Sequence, residues 1–160
     1  MSGHVAIRLT VNGDERALEI PPDLFLSDLL RRHLGLFDVE EACAEGECGS
    51  CTVFVDDLIV DSCIYLAAQC DGREVTTVGG LSQGEELTAL QQAFATSGAV
   101  QCGFCTPGFV VAATSLLSDN ANPTEAQIRE GLAGNLCRCT GYNGIVDAVR
   151  KAAARPEETS

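Results

Sequence analysis

Cys43-Ala44-Glu45-Gly46-Glu47-Cys48-Gly49-Ser50-Cys51 sets three thiols within nine residues, spaced C-x4-C-x2-C. A fourth, Cys63, follows a short run of strand-forming residues. This is the plant-type spacing for a [2Fe–2S] cluster, with an early fourth ligand. Each iron of such a cluster takes two thiolates, so four sulfurs must converge on one small core. A helix or a strand cannot aim three side chains inward over so short a segment, whereas a loop wrapped around the cluster can. Gly46 and Gly49 suit that loop, because they tolerate positive φ and let amide N–H groups come close to sulfur.

On the N-terminal side, Val5, Ile7, Leu9 and Val11 alternate with Ala6, Arg8 and Thr10, so residues 4–11 read as a half-buried strand. Asn12-Gly13-Asp14 is a hairpin signal, and residues 16–20 return as a second strand that ends at Pro21-Pro22. Ser27 is expected to cap a helix running to about Leu34, with Gly35 at C′ and Leu26, Leu29, Leu30 and Leu34 as its apolar stripe. On the C-terminal side, residues 52–55 and 58–62 read as strands around an Asp56-Asp57 turn, and residues 74–78 as a last strand. A hairpin, a crossing helix and further strands make an α+β unit. They match a β-grasp arrangement of the plant-type ferredoxin kind, although the pattern alone also admits other α+β topologies.

Gly79-Gly80 and the polar Ser82-Gln83-Gly84-Glu85 mark a boundary, giving expected domains over 1–79 and 80–160. Strand alternation stops there. Helices are expected over 86–96, with Leu87, Leu90 and Phe94 on one side, from Thr106-Pro107 (N-cap and first helical position) to 117, and from Asn122-Pro123-Thr124, where Thr124 with Gln127 forms a capping-box pattern, to about Gly134. A last one is expected over 145–154. Four helices in so few residues suggest an all-α four-helix bundle. Arg155–Ser160 is charged and expected to fray.

The helical half carries a second set of thiols, Cys102 and Cys105 as C-x2-C and Cys137 and Cys139 as C-x-C. If they converge, helix N-termini would aim amide N–H groups at a negatively charged cluster. Spacing alone leaves both iron–sulfur and zinc open for this set, since four-cysteine zinc sites also use two pairs. Cys70 is the ninth cysteine and reads as a small buried hydrophobe. The N-terminus shows no signal-peptide pattern and the chain no long apolar run, so a cytoplasmic protein without a membrane span is expected. In that reducing compartment clustered cysteines are metal ligands rather than disulfides. A net charge of −13 argues against nucleic acid as a partner. His4 and His33 are expected at the surface, Tyr142 in packing, and Arg138 either beside the cluster charge or at the surface. No nucleophile–base constellation and no phosphate-binding glycine loop is visible, so no catalytic residue is assigned.

Three motifs stand in order: residues 43–53, then Gln101-Cys102-Gly103-Phe104-Cys105-Thr106-Pro107-Gly108, then Gly134-Asn135-Leu136-Cys137-Arg138-Cys139-Thr140-Gly141-Tyr142. Together they resemble the small iron–sulfur subunit of the xanthine oxidase family of molybdenum hydroxylases, over about residues 4–153. The resemblance implies a β-grasp ferredoxin domain followed by a four-helix domain, each with one [2Fe–2S] cluster. Cys43, Cys48, Cys51 and Cys63 would hold the first, and Cys102, Cys105, Cys137 and Cys139 the second. It further implies a large subunit carrying molybdopterin, contacted by Gln101, a medium subunit carrying FAD, and a heterotrimer or its dimer. The chain would relay single electrons between those cofactors, the alternative being a free-standing two-cluster ferredoxin. Two departures stand out. Ala42-Cys43-Ala44 replaces a common Gly-Cys-Gly, and Glu40-Glu41 adds charge that is expected to depress the nearby potential or alter a partner contact.

Overall fold

Strands β1 (Val5–Val11) and β2 (Asp14–Ile20) form the predicted hairpin, closing on the Val11↔Asp14 pair. Asn12 and Gly13 both take positive φ, as the tightest hairpin turn requires. The computed structural model describes residues 3–82, 84 and 86–154. β1 also runs parallel to β5 (Glu74–Thr76); β5 pairs antiparallel with β3 (Thr52–Val55), and β3 with β4 (Leu58–Asp61). The sheet order is β2-β1-β5-β3-β4. Ile7, Leu9 and Val11 alternate onto the buried face, where they meet Val53, Val55 and Val75.

The expected helix after the hairpin is one short α turn, α1 (Leu26–Asp28), that widens into a π turn over Leu29–His33. Leu26, Leu29 and Leu30 are fully buried against the sheet, each burial being worth about 1.5–3 kcal/mol. Ser27 is not its cap. It lies inside the first turn, and its hydroxyl instead donates to Glu41 Oε2 at 2.5 Å. Gly35 takes the left-handed conformation expected of a C′ residue.

Four longer helices follow: α2 (Ala89–Thr96), α3 (Thr106–Asp119), α4 (Glu125–Gly131) and α5 (Asn143–Ala153). α2 starts later than the expected residue 86, because Thr88 and Gln91 close a capping box there. Leu87, expected on one side with Leu90 and Phe94, precedes the helix and is exposed, whereas those two are buried. Thr124 and Gln127 form the predicted box at α4, which stops at Gly131 rather than near Gly134. At α3 the cap is Cys105, not Thr106. Thr106 is already helical, and its hydroxyl is buried with no hydrogen-bond partner.

These helices enclose a second apolar cluster, centred on Phe94, Phe109, Ile128, Ile145 and Val149. Val75 belongs to the sheet cluster, whereas Val78 and Leu81 pack against the helical one. The expected boundary residues Gln83 and Glu85, and the expected frayed end Arg155–Ser160, lie outside the described residues. No helix among the described residues is long and apolar enough to cross a membrane.

Candidate metal centres

The first cysteine loop runs without regular structure from Leu34 to Cys51, and its flanks are fixed by side chains. Arg31 donates to the Val39 carbonyl and, at 3.2 Å, to Glu40. Asp38 accepts from the Thr77 hydroxyl and the Gly79 amide, and Asn12 in the hairpin turn grips Thr77 from the other side. Glu40 and Glu41, read from the sequence as added charge, are therefore anchors: one pairs with Arg31 and the other with buried Ser27.

Within the loop, Ala44, Gly46 and Gly49 take left-handed φ of 56°, 76° and 67°. These reversals turn successive amides inward, and the Glu47 amide donates to Cys43 Sγ at 3.4 Å. Amides of Glu45 and then Glu47 bring the Cys43 thiol down from 9.0 to about 7, so it is ready to ligate as thiolate. Cys48 Sγ lies 3.2 Å from Ser50 Oγ. Cys51 and Cys63 are buried side by side. Burial and then the Cys51 thiol push Cys63 up to about 12, and burial also raises Cys51. Alanine in the left-handed region is strained where glycine is not. Ala44→Gly is therefore expected to stabilise the loaded protein by up to about 1 kcal/mol, read as a higher denaturation midpoint; a lower midpoint would remove the strain argument.

In the second set, Cys102 Sγ and Cys139 Sγ lie 3.7 Å apart. A disulfide would need about 2.05 Å. Two thiolates on one tetrahedral metal, with bonds of about 2.3 Å, stand about 3.8 Å apart. Cys105 and Cys137 form the other pair. Burial, then the Cys137 thiol, pushes Cys105 up to about 12. Burial also works to raise Cys137, but the Thr140 hydroxyl, the Thr140 amide and the Cys139 amide outweigh it and hold that thiol at about 7. The expected helix dipoles serve only one pair directly. Cys105 caps α3, whereas Cys137 and Cys139 sit in the loop before α5, where Cys137 Sγ draws its donors from the amide and hydroxyl of Thr140.

All nine cysteines are free thiols, and Cys70 is fully buried in the sheet core with its thiol pushed up to about 11 by burial. Among the described residues, no three His, Cys, Asp or Glu side chains converge on one point as a mononuclear ion requires. Sulfurs gathered two by two instead fit a diiron rhomb, in which each iron takes one pair. His4 and His33 are exposed and stand apart from both sets.

The two loops are bonded to each other. The Leu136 amide donates to the Cys48 carbonyl at 2.9 Å, and the buried Asn135 side chain donates to the Gly49 carbonyl at 2.8 Å. Gly108 of α3 sits so close that a Cβ there would fall 1.9 Å from the same Gly49 oxygen. Tyr142 does more than pack. Its ring stands edge-on to Phe109, and its hydroxyl accepts from the Cys137 amide at 3.0 Å. Gln101, Cys102, Arg138 and Cys139 are exposed, among the exposed apolar side chains of Val100, Phe104 and Leu136. For Asn135, Thr140 and Ser50 the sequence carries only the signal of closeness to a candidate ligand cysteine, and for Asp38 it carries none.

Two family models match the chain: "2Fe-2S iron-sulfur cluster binding domain" over residues 9–82 and "[2Fe-2S] binding domain" over residues 77–150. The xanthine dehydrogenase iron-sulfur-binding subunit of Escherichia coli is 51% identical over 150 residues, covering 91% of this chain and 92% of that protein. The nicotinate dehydrogenase small FeS subunit of Eubacterium barkeri is 45% identical, covering 94% and 96%. Among solved structures, a chain of quinoline 2-oxidoreductase from Pseudomonas putida 86 superposes with a TM-score of 0.92 at 44% identity, over 96% of both chains. The aldehyde oxidoreductase of Desulfovibrio gigas matches with a TM-score of 0.89 at 43% identity, over 94% of this chain and 17% of that one.

Proposed function

The chain belongs to the [2Fe–2S] small subunits of the xanthine oxidase family, and from that membership we propose how its residues serve electron transfer. It is the electron-transfer subunit of a molybdenum hydroxylase. Cys43, Cys48, Cys51 and Cys63 hold one [2Fe–2S] centre, the Cys51–Cys63 pair on one iron and Cys43 with Cys48 on the other. Cys102 with Cys139, and Cys105 with Cys137, hold the second. When bound, each centre takes up and releases one electron at a time.

The chain's own residues set the conditions for that. Cys51, Cys63 and Cys137 are buried and keep water from one side of each site. The Glu47 amide and the Thr140 hydroxyl direct positive hydrogen ends at ligand sulfurs. The Leu136–Cys48 hydrogen bond holds the two ligand loops at a fixed separation. Exposed Gln101 contacts a molybdopterin held by a large subunit, and the surrounding apolar residues form part of that docking face. FAD in a medium subunit lies towards the first set, and the complex is a heterotrimer or its dimer in the cytoplasm. The architecture is a β-grasp ferredoxin domain over 1–79 and a four-helix bundle over 80–160.

The 3.7 Å spacing of Cys102 and Cys139 carries the ligand assignment, because it suits one tetrahedral iron and no disulfide. The complex purified with its partners is expected to carry about four irons and four acid-labile sulfides per copy of this chain. Two distinguishable EPR signals should appear on reduction. Zinc without labile sulfide would overturn the assignment. Iron–sulfur absorbance running only as a lone small protein in native extract would instead favour a free-standing ferredoxin.

A further inference from the structure

We infer that the Thr140 hydroxyl sets the reduction potential of the centre held by Cys102, Cys105, Cys137 and Cys139. The inference rests on the ligand assignment above and concerns a residue that ligates nothing. Thr140 Oγ1 lies 3.1 Å from Cys137 Sγ. The same oxygen accepts from the Tyr142 amide at 3.2 Å. An amide can only donate, so one lone pair of the oxygen faces Tyr142; a sulfur bound as thiolate carries no hydrogen, so the hydroxyl's single hydrogen goes to Cys137 Sγ. The direction of the O–H···S bond is thereby fixed.

The loop keeps it fixed. Tyr142 is held at a left-handed φ of 70°, and its own hydroxyl accepts from the Cys137 amide at 3.0 Å. Cys137, Thr140 and Tyr142 thus form a closed ring of hydrogen bonds around one ligand sulfur. In the first set Ser50 Oγ lies 3.2 Å from Cys48 Sγ and would donate to it, but no closed ring like that of Cys137, Thr140 and Tyr142 holds its hydroxyl. Cys137 is buried, so water competes little for its sulfur. The electron that enters on reduction adds negative charge to the sulfurs. A hydrogen-bond donor stabilises that state more than the oxidised one. Thr140 therefore raises the potential of the second centre and leaves that of the first unchanged.

The test uses the loaded complex with Thr140→Val, which keeps the side-chain shape and removes the donor, and Thr140→Ser, which keeps the donor. EPR-monitored redox titration reads both centres in one sample. In Thr140→Val the equilibrium constant for reducing the second centre is expected to fall about tenfold, a shift of about 59 mV for a one-electron couple. The first centre should not move, and Thr140→Ser should match the unaltered protein. An unmoved second centre in Thr140→Val, an equal shift of both centres, or a Thr140→Ser that behaves like valine would each overturn the inference. If Thr140→Val fails to retain the second centre, deuterium exchange decides. Iron–sulfur stretching bands of that centre should shift in heavy water in the unaltered protein and in Thr140→Ser, and more than in Thr140→Ala; equal shifts in all three overturn it. Failure of the ligand assignment would look different, since the unaltered protein would then lack the iron and the EPR signal of the second centre.

Discussion

Cys137→Ala is expected to abolish the second centre and spare the first, so that iron falls from about four to about two per chain. Cys137 is one half of the Cys105–Cys137 pair, and an iron left with a single protein thiolate is not retained. The substitution also removes the acceptor of the Thr140 hydroxyl, leaving that loop without its sulfur anchor. The first set shares no thiol with the second. The bonds that join their loops near this point run from the Leu136 amide to the Cys48 carbonyl and from the Asn135 side chain to the Gly49 carbonyl, and the substitution keeps all of these atoms. For the same reason Cys48→Ala should remove only the first centre. Low-temperature EPR of each reduced variant, with iron and sulfide assays, checks this. Each variant should show one of the two signals and lose turnover with the natural acceptor. Loss of both signals in both variants would show that the eight cysteines do not form two independent centres.

Gly108→Ala is expected to destabilise the protein by about 2–3 kcal/mol, although alanine is the better helix former. At an unhindered helical position the change would stabilise by up to about 1 kcal/mol. Here the new methyl would fall 1.9 Å from the Gly49 oxygen and 3.1 Å from Ser50 Cα, both backbone atoms that no rotamer change can clear. α3 must then draw back from the first cysteine loop, and the Asn135–Gly49 bond lengthens with it. A melting temperature lower by about 5–10 °C is expected, with a broadened or weakened signal from the first centre. An unchanged or higher melting temperature would show that α3 and the loop yield easily.

Both effects turn on contacts between segments far apart in the chain. Asn12-Gly13 gave its hairpin, and Thr124 with Gln127 gave its capping box, because each depends on the conformations of neighbouring residues. Ser27 and Thr106 depart from the capping expectation for one shared reason. A hydroxyl near a helix start is a capping candidate by sequence, but Ser27 is drawn to Glu41 and Thr106 is already inside the first turn. Glu40 and Glu41 looked like free charge until Arg31 and Ser27 were seen beside them.

The division of eight cysteines into two sets of candidate ligands was legible in the sequence, since short spacings restrict which thiols a single loop can turn inward. Which thiol stands opposite which was decided by tertiary structure: Cys102 meets Cys139 across 37 positions of chain. So was the grip of Asn135 on Gly49, across 86 positions. Local spacing acts through bond geometry over a few residues. Pairings at such separations exist only once the two apolar cores have packed and brought α3 and the loop before α5 onto the first cysteine loop.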